Sequence, residues 1–374
     1  MDETISPAAL HGRIRAGESL TVLDVRDREA YDAWRIEGAR VESTYVPYLR
    51  FAAAEARGEV DEFVADLDFD PNEPVVVVCA RGETSAHAAE LLRAAGVGAA
   101  NLAGGMEAWA DLYVAHDLPF EGGVVRQYER PATGCLAYLL ASDGEALVVD
   151  PLRAFMDRYE RDSAEFDCEL RYAFDTHVHA DHLSGVRELG ERGAVPLLPA
   201  SARERGLAFE AEFVEGGDTL SVGAAELRLR AAPGHTSELL VARTGDVLLS
   251  ADALFLDGVG RPDLEGGDDG APELAAQLYG TLTELFSLPA GTLVAPGHVT
   301  PEAEPAPDGT LTRTLGEVRE AVTLGEKEAF VERVLDNAGE RPANYERIIQ
   351  VNLGRAEGEE ELELGPNNCA VSSA

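Results

Sequence analysis

The decapeptide THVHADHLSG at residues 176–185 places His177, His179, Asp181 and His182 within six positions, directly behind the apolar run LRYAF. Burying so many imidazole and carboxylate groups with nothing to bind would be costly. The run before them is therefore expected to end as a strand whose exit aims these side chains at one point. Imidazole and carboxylate are the donors that zinc and iron take. Three further residues repeat the arrangement. His235, in APGHTSE, follows LRLRAAP (227–233); His298, in APGH, follows TLVAP (292–296); Asp252 closes DVLLSAD (246–252). Five of the eight histidines fall in these motifs, and the other three, His11, His87 and His116, read as ordinary surface residues.

The rest of the chain supplies the frame. In the first third, TVLDV (21–25) and VVVVC (75–79) are short β-branched runs suited to buried parallel strands. SAHAAELLRAAG (85–96) and GGMEAWA (104–110) read as helices, the first stopped by Gly96. Strand, turn and helix alternate as in an α/β domain. HDLPFEGG (116–123) is rich in Gly and Pro and lacks periodicity, which marks a domain boundary. Beyond it come strand-like runs at 135–140, 146–150, 170–176, 227–233, 238–243, 246–252 and 292–296, with helices near 152–161 and 272–287. From about 312 the pattern is helical, and after Arg355 it is acidic and predicted to be loosely held. The predicted division is 1–118, 124–310, a helical extension 311–355 and an acidic tail 356–374.

The ligand order HxHxDH, then histidine, aspartate and histidine, resembles that of the metallo-β-lactamase superfamily over roughly residues 124–300. The resemblance implies an αββα sandwich with the site at one edge of the sheets. Flavodiiron members carry glutamate where His179 stands, which disfavours that branch. Two subfamilies stay open. Glyoxalase II enzymes use all seven residues for two metals, commonly zinc, to hydrolyse a thioester. Persulfide dioxygenases hold one Fe(II) at the positions of His177, His235 and Asp252, a face that leaves positions open for a substrate and O2. The resemblance then makes His179, Asp181, His182 and His298 supporting residues or a second metal site. SADALFLDGVGRPDL (250–264) looks like the GDALFxxGxGRxDF stretch of the persulfide dioxygenases, with Ala251 and Leu264 as departures. Arg261 is there a candidate clamp for a substrate carboxylate, its alternative an ion pair with Asp263. APGHTSE departs from the usual PGHTxG at Glu238. The resemblance implies oxidation of a low-molecular-weight thiol persulfide by O2 to sulfite and thiol. A non-catalytic sulfur-relay or sensing protein is the reading from another class.

In the first domain Cys79 closes a strand and the loop CARGETS (79–85) leads into a helix. Backbone N–H groups of such a loop and the helix N-terminus form an anion cradle and lower a thiol pKa. LDVRDREAYDAWRIEGA (23–39) and NLAGGMEAW (101–109) look like the rhodanese signatures LDVRxxxEFxxGHIxGA and NLxGGxxAW. The resemblance makes Cys79 the sulfur-carrying nucleophile and Arg81 the nearest anion contact, with thiosulfate or sulfite as partners. Thr84 stands where arginine is common. Cys135 and Cys168 are expected to be buried, and Cys369 to lie in the mobile tail as an incidental or sulfur-carrying thiol.

The net charge is −38, with Lys327 the only lysine. Such a surface repels phosphate backbones, which excludes nucleic acid as a partner, and it fits a halophilic host. No run of about 18 apolar residues suggests a membrane span, and the N-terminus lacks the basic start and apolar core of a signal peptide, so the expected location is the cytoplasm. A homodimer is compatible with the sequence.

Overall fold

The computed structural model describes residues 3–70, 73–365 and 369–372. Its first domain is built on five parallel strands. Across the sheet they run Thr4–Ile5, Ala99–Leu102, Val75–Val78, Leu20–Asp24 and Val41–Tyr45. Val75–Val78 lies centrally and is buried on both faces, which is why it reads as an unbroken run of valines. Helix Glu83–Ala94 covers one face, packing Ala88, Ala89 and Leu92. Pro7–Arg15 and Gly105–Ala110 cover the other, through Leu10, Met106 and Trp109.

The second domain is the expected αββα sandwich. One sheet has seven strands in the order Glu212–Val214, Val195–Pro199, Glu169–Phe174, Glu145–Val149, Cys135–Ser142, Gly123–Arg130, Val114–Phe120. The other has six: Thr219–Val222, Ala225–Ala231, Leu240–Thr244, Val247–Ala251, Leu293–Pro296, Arg313–Thr314. Ala225–Ala231 shows the period of two, with Ala225, Leu227 and Leu229 turned in and Glu226, Arg228 and Arg230 exposed. Those inward residues meet Leu147, Phe174 and Leu197 of the other sheet. Outside the sheets, helix Met156–Glu165 packs through Tyr159 and helix Val186–Glu191 through Leu189. Gly267–Leu285 packs on the other side through Leu278 and Leu282.

Two expectations are corrected and one is borne out and extended. Residues 116–123 are no linker: Val114–Phe120 is the edge strand of the seven-stranded sheet and pairs antiparallel with Gly123–Arg130. An edge strand tolerates the proline that made this segment look like a boundary; the first domain's last helix ends at Ala110. The helical extension over 311–355 is present as helices Leu315–Ala321, Lys327–Asp336 and Tyr345–Asn352, and it is integral to the fold. Arg313–Thr314 joins the six-stranded sheet, and Phe330 and Val334 share the core of Leu278 and Leu282. Burying a side chain such as Phe330 contributes about 2 kcal/mol. The acidic tail is held rather than loose where it is described. Glu363 is buried in an ion pair with Arg130, and Ala370–Ser372 pairs antiparallel with Gly258–Gly260. Residues 366–368 and 373–374 of that predicted tail lie outside the described residues.

The two domains share an interface. Trp34 Nε1 donates to the Ala132 carbonyl (3.0 Å) and Arg130 Nε to the Ala110 carbonyl (3.0 Å). Arg15 and His11 both pair with Glu129. His11 is therefore buried at 7% exposure and not an ordinary surface residue. Its partner is 118 positions away, so nothing local marks it. His87 is the more exposed kind expected, bonding Tyr48 at 2.8 Å.

Candidate metal centre

Every predicted ligand leaves the C-terminal end of a strand. The loop carrying His177, His179, Asp181 and His182 follows Glu169–Phe174 of the seven-stranded sheet. His235 follows Ala225–Ala231, Asp252 follows Val247–Ala251, and His298 follows Leu293–Pro296, all in the other sheet. The two sheets are stitched together here: Leu136 N–H donates to the Gly297 carbonyl (2.8 Å) and Val299 N–H to Gly134 (3.0 Å). All seven side chains come together, and none is more than 6% exposed.

Asp252 is central. Its Oδ2 lies 3.5 Å from His235 Nε2, 4.0 Å from His177 Nε2 and 3.1 Å from His298 Nε2. Asp181 Oδ2 lies 3.5 Å from His298 Nε2 and 3.1 Å from His182 Nδ1. Donor atoms about 2.1 Å from one ion stand roughly 3–3.5 Å apart at tetrahedral or octahedral angles. Among the described residues five donor groups are distinguished: His177/His235/Asp252, His179/Asp181/His182, Asp150/Asp175/His179, and two that include a cysteine, Cys135/Asp181/His298 and Asp252/His298/Cys369.

The fit to a metal rests on where the ring nitrogens point. His177 Nε2, His179 Nδ1, His182 Nε2 and His235 Nε2 are buried with no hydrogen-bond partner among the described residues. The other nitrogen of each ring is engaged. His235 Nδ1 donates to the Arg261 carbonyl (2.8 Å), and His179 Nε2 lies 3.1 Å from Asp150 Oδ1. His177 Nδ1 lies 2.9 Å from the Thr176 hydroxyl, which donates to Asp150 Oδ2 (3.0 Å). Such partners fix the tautomer and leave the opposite lone pair free to bind an ion. These residues fit a divalent cation.

The charges agree. Burial first, then neighbouring His179 and His235, holds the His177 imidazole well below its ordinary pKa, and burial lowers His235. Both therefore stay neutral, the form that ligates. Burial opposes protonation of His179 as well, but Asp150 and Asp175 outweigh it and raise the ring to about 9. His182 and His298 are raised despite burial by Asp181 and Asp252. Without an ion, protons on the His182 and His298 imidazoles balance the charge of Asp181, which they hold well below its ordinary pKa against burial.

Close approach of backbones completes the site. A Cβ on Gly260 would meet the Asp252 carbonyl at 1.9 Å, so the GVG strand abuts the aspartate only as glycine. Arg261 is fully buried; its guanidinium bonds Asp263 (2.7 and 3.0 Å) and the carbonyls of Gly339 and Glu340. That is the ion-pair alternative, and its side chain is committed there; its peptide carbonyl orients His235. Glu238, the departure from PGHTxG, is buried, bonding Arg205 (2.5 Å) and the Val178 N–H (3.1 Å). It stiffens the histidine loop from beneath.

Sequence reasoning missed the supports. Asp150 ends the strand ALVVD just as Asp252 ends its own, so the strand-exit rule could have found it. Asn352 gives two N–H bonds to the carbonyls of His179 (3.0 Å) and His182 (2.8 Å) and accepts Ser184 N–H (2.9 Å). Glu363 accepts the Leu183 N–H (2.6 Å). Nothing local signals these two.

In the first domain, Cys79 Sγ accepts the Gly82 N–H (3.1 Å) and lies 3.0 Å from the Ser85 hydroxyl. Burial pushes this thiol up, but bonds from Ser85 and Thr84 and from the loop backbone outweigh it, leaving it below its ordinary value. Gly105, at φ +61°, lets the next helix approach: a Cβ there would meet the Cys79 carbonyl at 2.2 Å. Arg81 is exposed on the loop and pairs with Glu107 at 2.7 Å. A cavity of about 220 Å³ lies between the domains, walled by Arg15, Trp34 and Trp109 on one side and Phe255, His298 and Ala370 on the other. Cys79 is not among its lining residues.

The rhodanese-like domain family matches residues 6–112, and the metallo-beta-lactamase superfamily matches residues 130–298. The mitochondrial persulfide dioxygenase ETHE1 of Bos taurus is 32% identical over 183 residues, 47% of this chain and 68% of the relative. A hydroxyacylglutathione hydrolase of Xanthomonas oryzae pv. oryzae is 36% identical over 162 residues, 43% of this chain and 58% of the relative. Among solved structures, ETHE1 from Myxococcus xanthus aligns with a TM-score of 0.52 at 28% identity, covering 65% of this chain and 100% of that one. A metallo-beta-lactamase from Staphylococcus aureus aligns with a TM-score of 0.56 at 22% identity, covering 62% and 73%, a likeness of fold alone.

Proposed function

Because the chain belongs to the metallo-β-lactamase superfamily and carries a rhodanese-like domain ahead of it, we propose that it oxidises a low-molecular-weight thiol persulfide with O2. The observation that carries this reading is the face of two neutral imidazoles and one carboxylate, His177, His235 and Asp252. Their two Nε2 atoms are buried and, among the described residues, without partners. This donor set suits Fe(II) with open positions, and relatives of this sequence are named persulfide dioxygenases. When bound, the iron supplies activation of O2. The overall reaction balances as RSSH + O2 + H2O → RSH + SO3²⁻ + 2H⁺, the outer sulfur losing the four electrons that O2 gains.

The chain's own residues orient and enclose. Arg261 and Thr176 hold the His235 and His177 rings, and Asp150 anchors Thr176. The interdomain cavity reaches His298 and supplies an apolar approach past Trp34 and Trp109, restricting water around the reacting sulfur. Cys79 is the sulfur carrier of the first domain. Its persulfide passes a sulfur to a thiol, RSH becoming RSSH, or the domain joins RSSH and sulfite into thiosulfate and RSH. Either direction gives the fused domain a place beside the oxidation. Because Cys79 does not line the interdomain cavity, a diffusing small thiol carries sulfur between the sites.

The intact second set, His179, Asp181, His182 and His298, favours one rival: a dinuclear zinc thioester hydrolase, as the hydroxyacylglutathione hydrolase relatives are named. Anaerobic loading with Fe(II), followed by O2 uptake with a thiol persulfide, separates them. Uptake with stoichiometric sulfite is expected. Full thioesterase turnover with zinc, and no oxygen uptake with iron, would overturn the oxidative reading. The cytoplasmic location is part of the proposal; among the described residues no helix is long and apolar enough to cross a membrane.

A further inference from the structure

Cys369 is fully buried, and a short antiparallel pair sets its place. Ala370 lies opposite Gly260 and Val371 opposite Val259. The Arg261 N–H donates to the Cys369 carbonyl at 3.0 Å, while the Arg261 carbonyl accepts from His235 Nδ1. One residue thus ties the end of the chain to a ligand histidine. A one-residue slip of this pairing would turn Cys369 to the opposite face. In the observed register its Sγ, an Asp252 carboxylate oxygen and a His298 ring nitrogen all lie within 4.8 Å of one another. Across Asp252 stand His177 Nε2 and His235 Nε2, buried and without partners among the described residues. Asp252 is therefore flanked by two donor groups, one of which contains sulfur.

We propose that Cys369 is a metal ligand: its thiolate joins Asp252 and His298 at a second ion position that shares Asp252 with the His177/His235 site. Ligation forms a metal–sulfur bond and releases the thiol proton to solvent, with no change of oxidation state. A buried cysteine is often only a small hydrophobe, and Cys369 does touch the apolar cluster of Leu264 and Leu353. Its sulfur, however, faces a carboxylate and an imidazole. A thiolate is a soft donor, so this position selects zinc over a hard cation. The end of the chain then belongs to the centre, and the chain closes its own site on folding. This inference rests on the proposed metal site but not on its oxygen chemistry.

The test is anaerobic titration of the metal-free, full-length protein with Co(II), read by absorbance. Thiolate-to-Co(II) charge transfer in the near ultraviolet is expected to grow with the second equivalent. Cys369→Ser should lose that band and bind the second ion more than about tenfold more weakly, the scale on which even a ligand's hydrogen-bond partner matters. Cys135→Ser should keep the band, although Cys135 Sγ lies 3.2 Å from Asp181 Oδ2. Absence of the band from the unaltered protein, or its survival in Cys369→Ser, overturns the proposal. Should Cys369→Ser fail to fold, Cys135→Ser decides: a band there assigns Cys369, since Cys79 and Cys168 belong to none of the donor groups, and its loss refutes it. Oxygen uptake, measured on a separate iron-loaded sample, bears only on the oxidative reading, so the two fail independently.

Discussion

Replacing Asn352 with alanine tests whether the C-terminal helices hold the metal loop. Asn352 ends helix Tyr345–Asn352, and its amide makes three bonds into that loop, to the carbonyls of His179 and His182 and from the N–H of Ser184. Each bond contributes about 1 kcal/mol net, so the full loss is about 3 kcal/mol. Asn352 is only partly buried, and water recovers part of this, which leaves an expected loss of about 2 kcal/mol. The main chain of two ligand residues is freed at the same time, so metal affinity should fall about 10–100-fold. Urea unfolding of the metal-free protein should show a lower midpoint at unchanged slope. Competition against a chromophoric chelator reads the affinity. Asn352→Asp keeps an acceptor for Ser184 but sets a carboxylate oxygen against two carbonyls, and should be no better than alanine. An alanine variant within about 0.5 kcal/mol of the parent, with unchanged metal affinity, would refute the reasoning.

The raised pKa of His179, about 9, and those of His182 and His298 mean that protons occupy the metal-free centre at pH 7. Metal uptake should release protons, and affinity should rise with pH toward 9 and fall as pH drops; calorimetry in buffers of different ionisation enthalpy checks this. Ser85→Ala removes a bond that lowers the Cys79 pKa, so the pH profile of Cys79 alkylation should move upward while the fold, followed by circular dichroism, is kept. Ala251 holds φ +45°, a left-handed conformation. Ala251→Gly should relieve about 1–2 kcal/mol of strain against about 0.4–1 kcal/mol of added chain entropy and about 0.8 kcal/mol for the lost buried methyl, leaving the urea midpoint nearly unchanged. With a net charge of −38, repulsion destabilises the folded chain until salt screens it, so Tm should rise between about 0.1 and 1 M KCl.

What could be read from the sequence divides along one physical line. The side chains that cluster at the candidate metal centre were legible because a strand exit is a local event. An apolar run, a turn and a donor side chain sit within ten residues, and the chemistry of imidazole and carboxylate does the rest. Cys79 was legible for the same reason, its loop lying between a valine strand and a helix. Asp150 obeys the rule and was passed over only because its motif holds no histidine. The misreadings have two sources: one local signal with two meanings, and partners remote in sequence. HDLPFEGG looked like a linker because proline and glycine mark both boundaries and edge hairpins, and only the pairing with Gly123–Arg130 tells them apart. The acidic tail looked like a solvated charge run. Yet Glu363 meets Arg130 across 233 positions and Leu183 across 180, and a run of glutamates gives no sign which one has a buried partner. The same holds for Asn352, 173 positions from His179, and for Cys369, set by pairing with Gly258–Gly260. Clustered donor residues can therefore be found one strand at a time, whereas several of the groups that hold them still, Asn352 and Glu363 among them, come from far along the chain. A protein truncated before residue 345 should therefore lose metal affinity, and it should also lose stability, because Arg130 is left buried without Glu363.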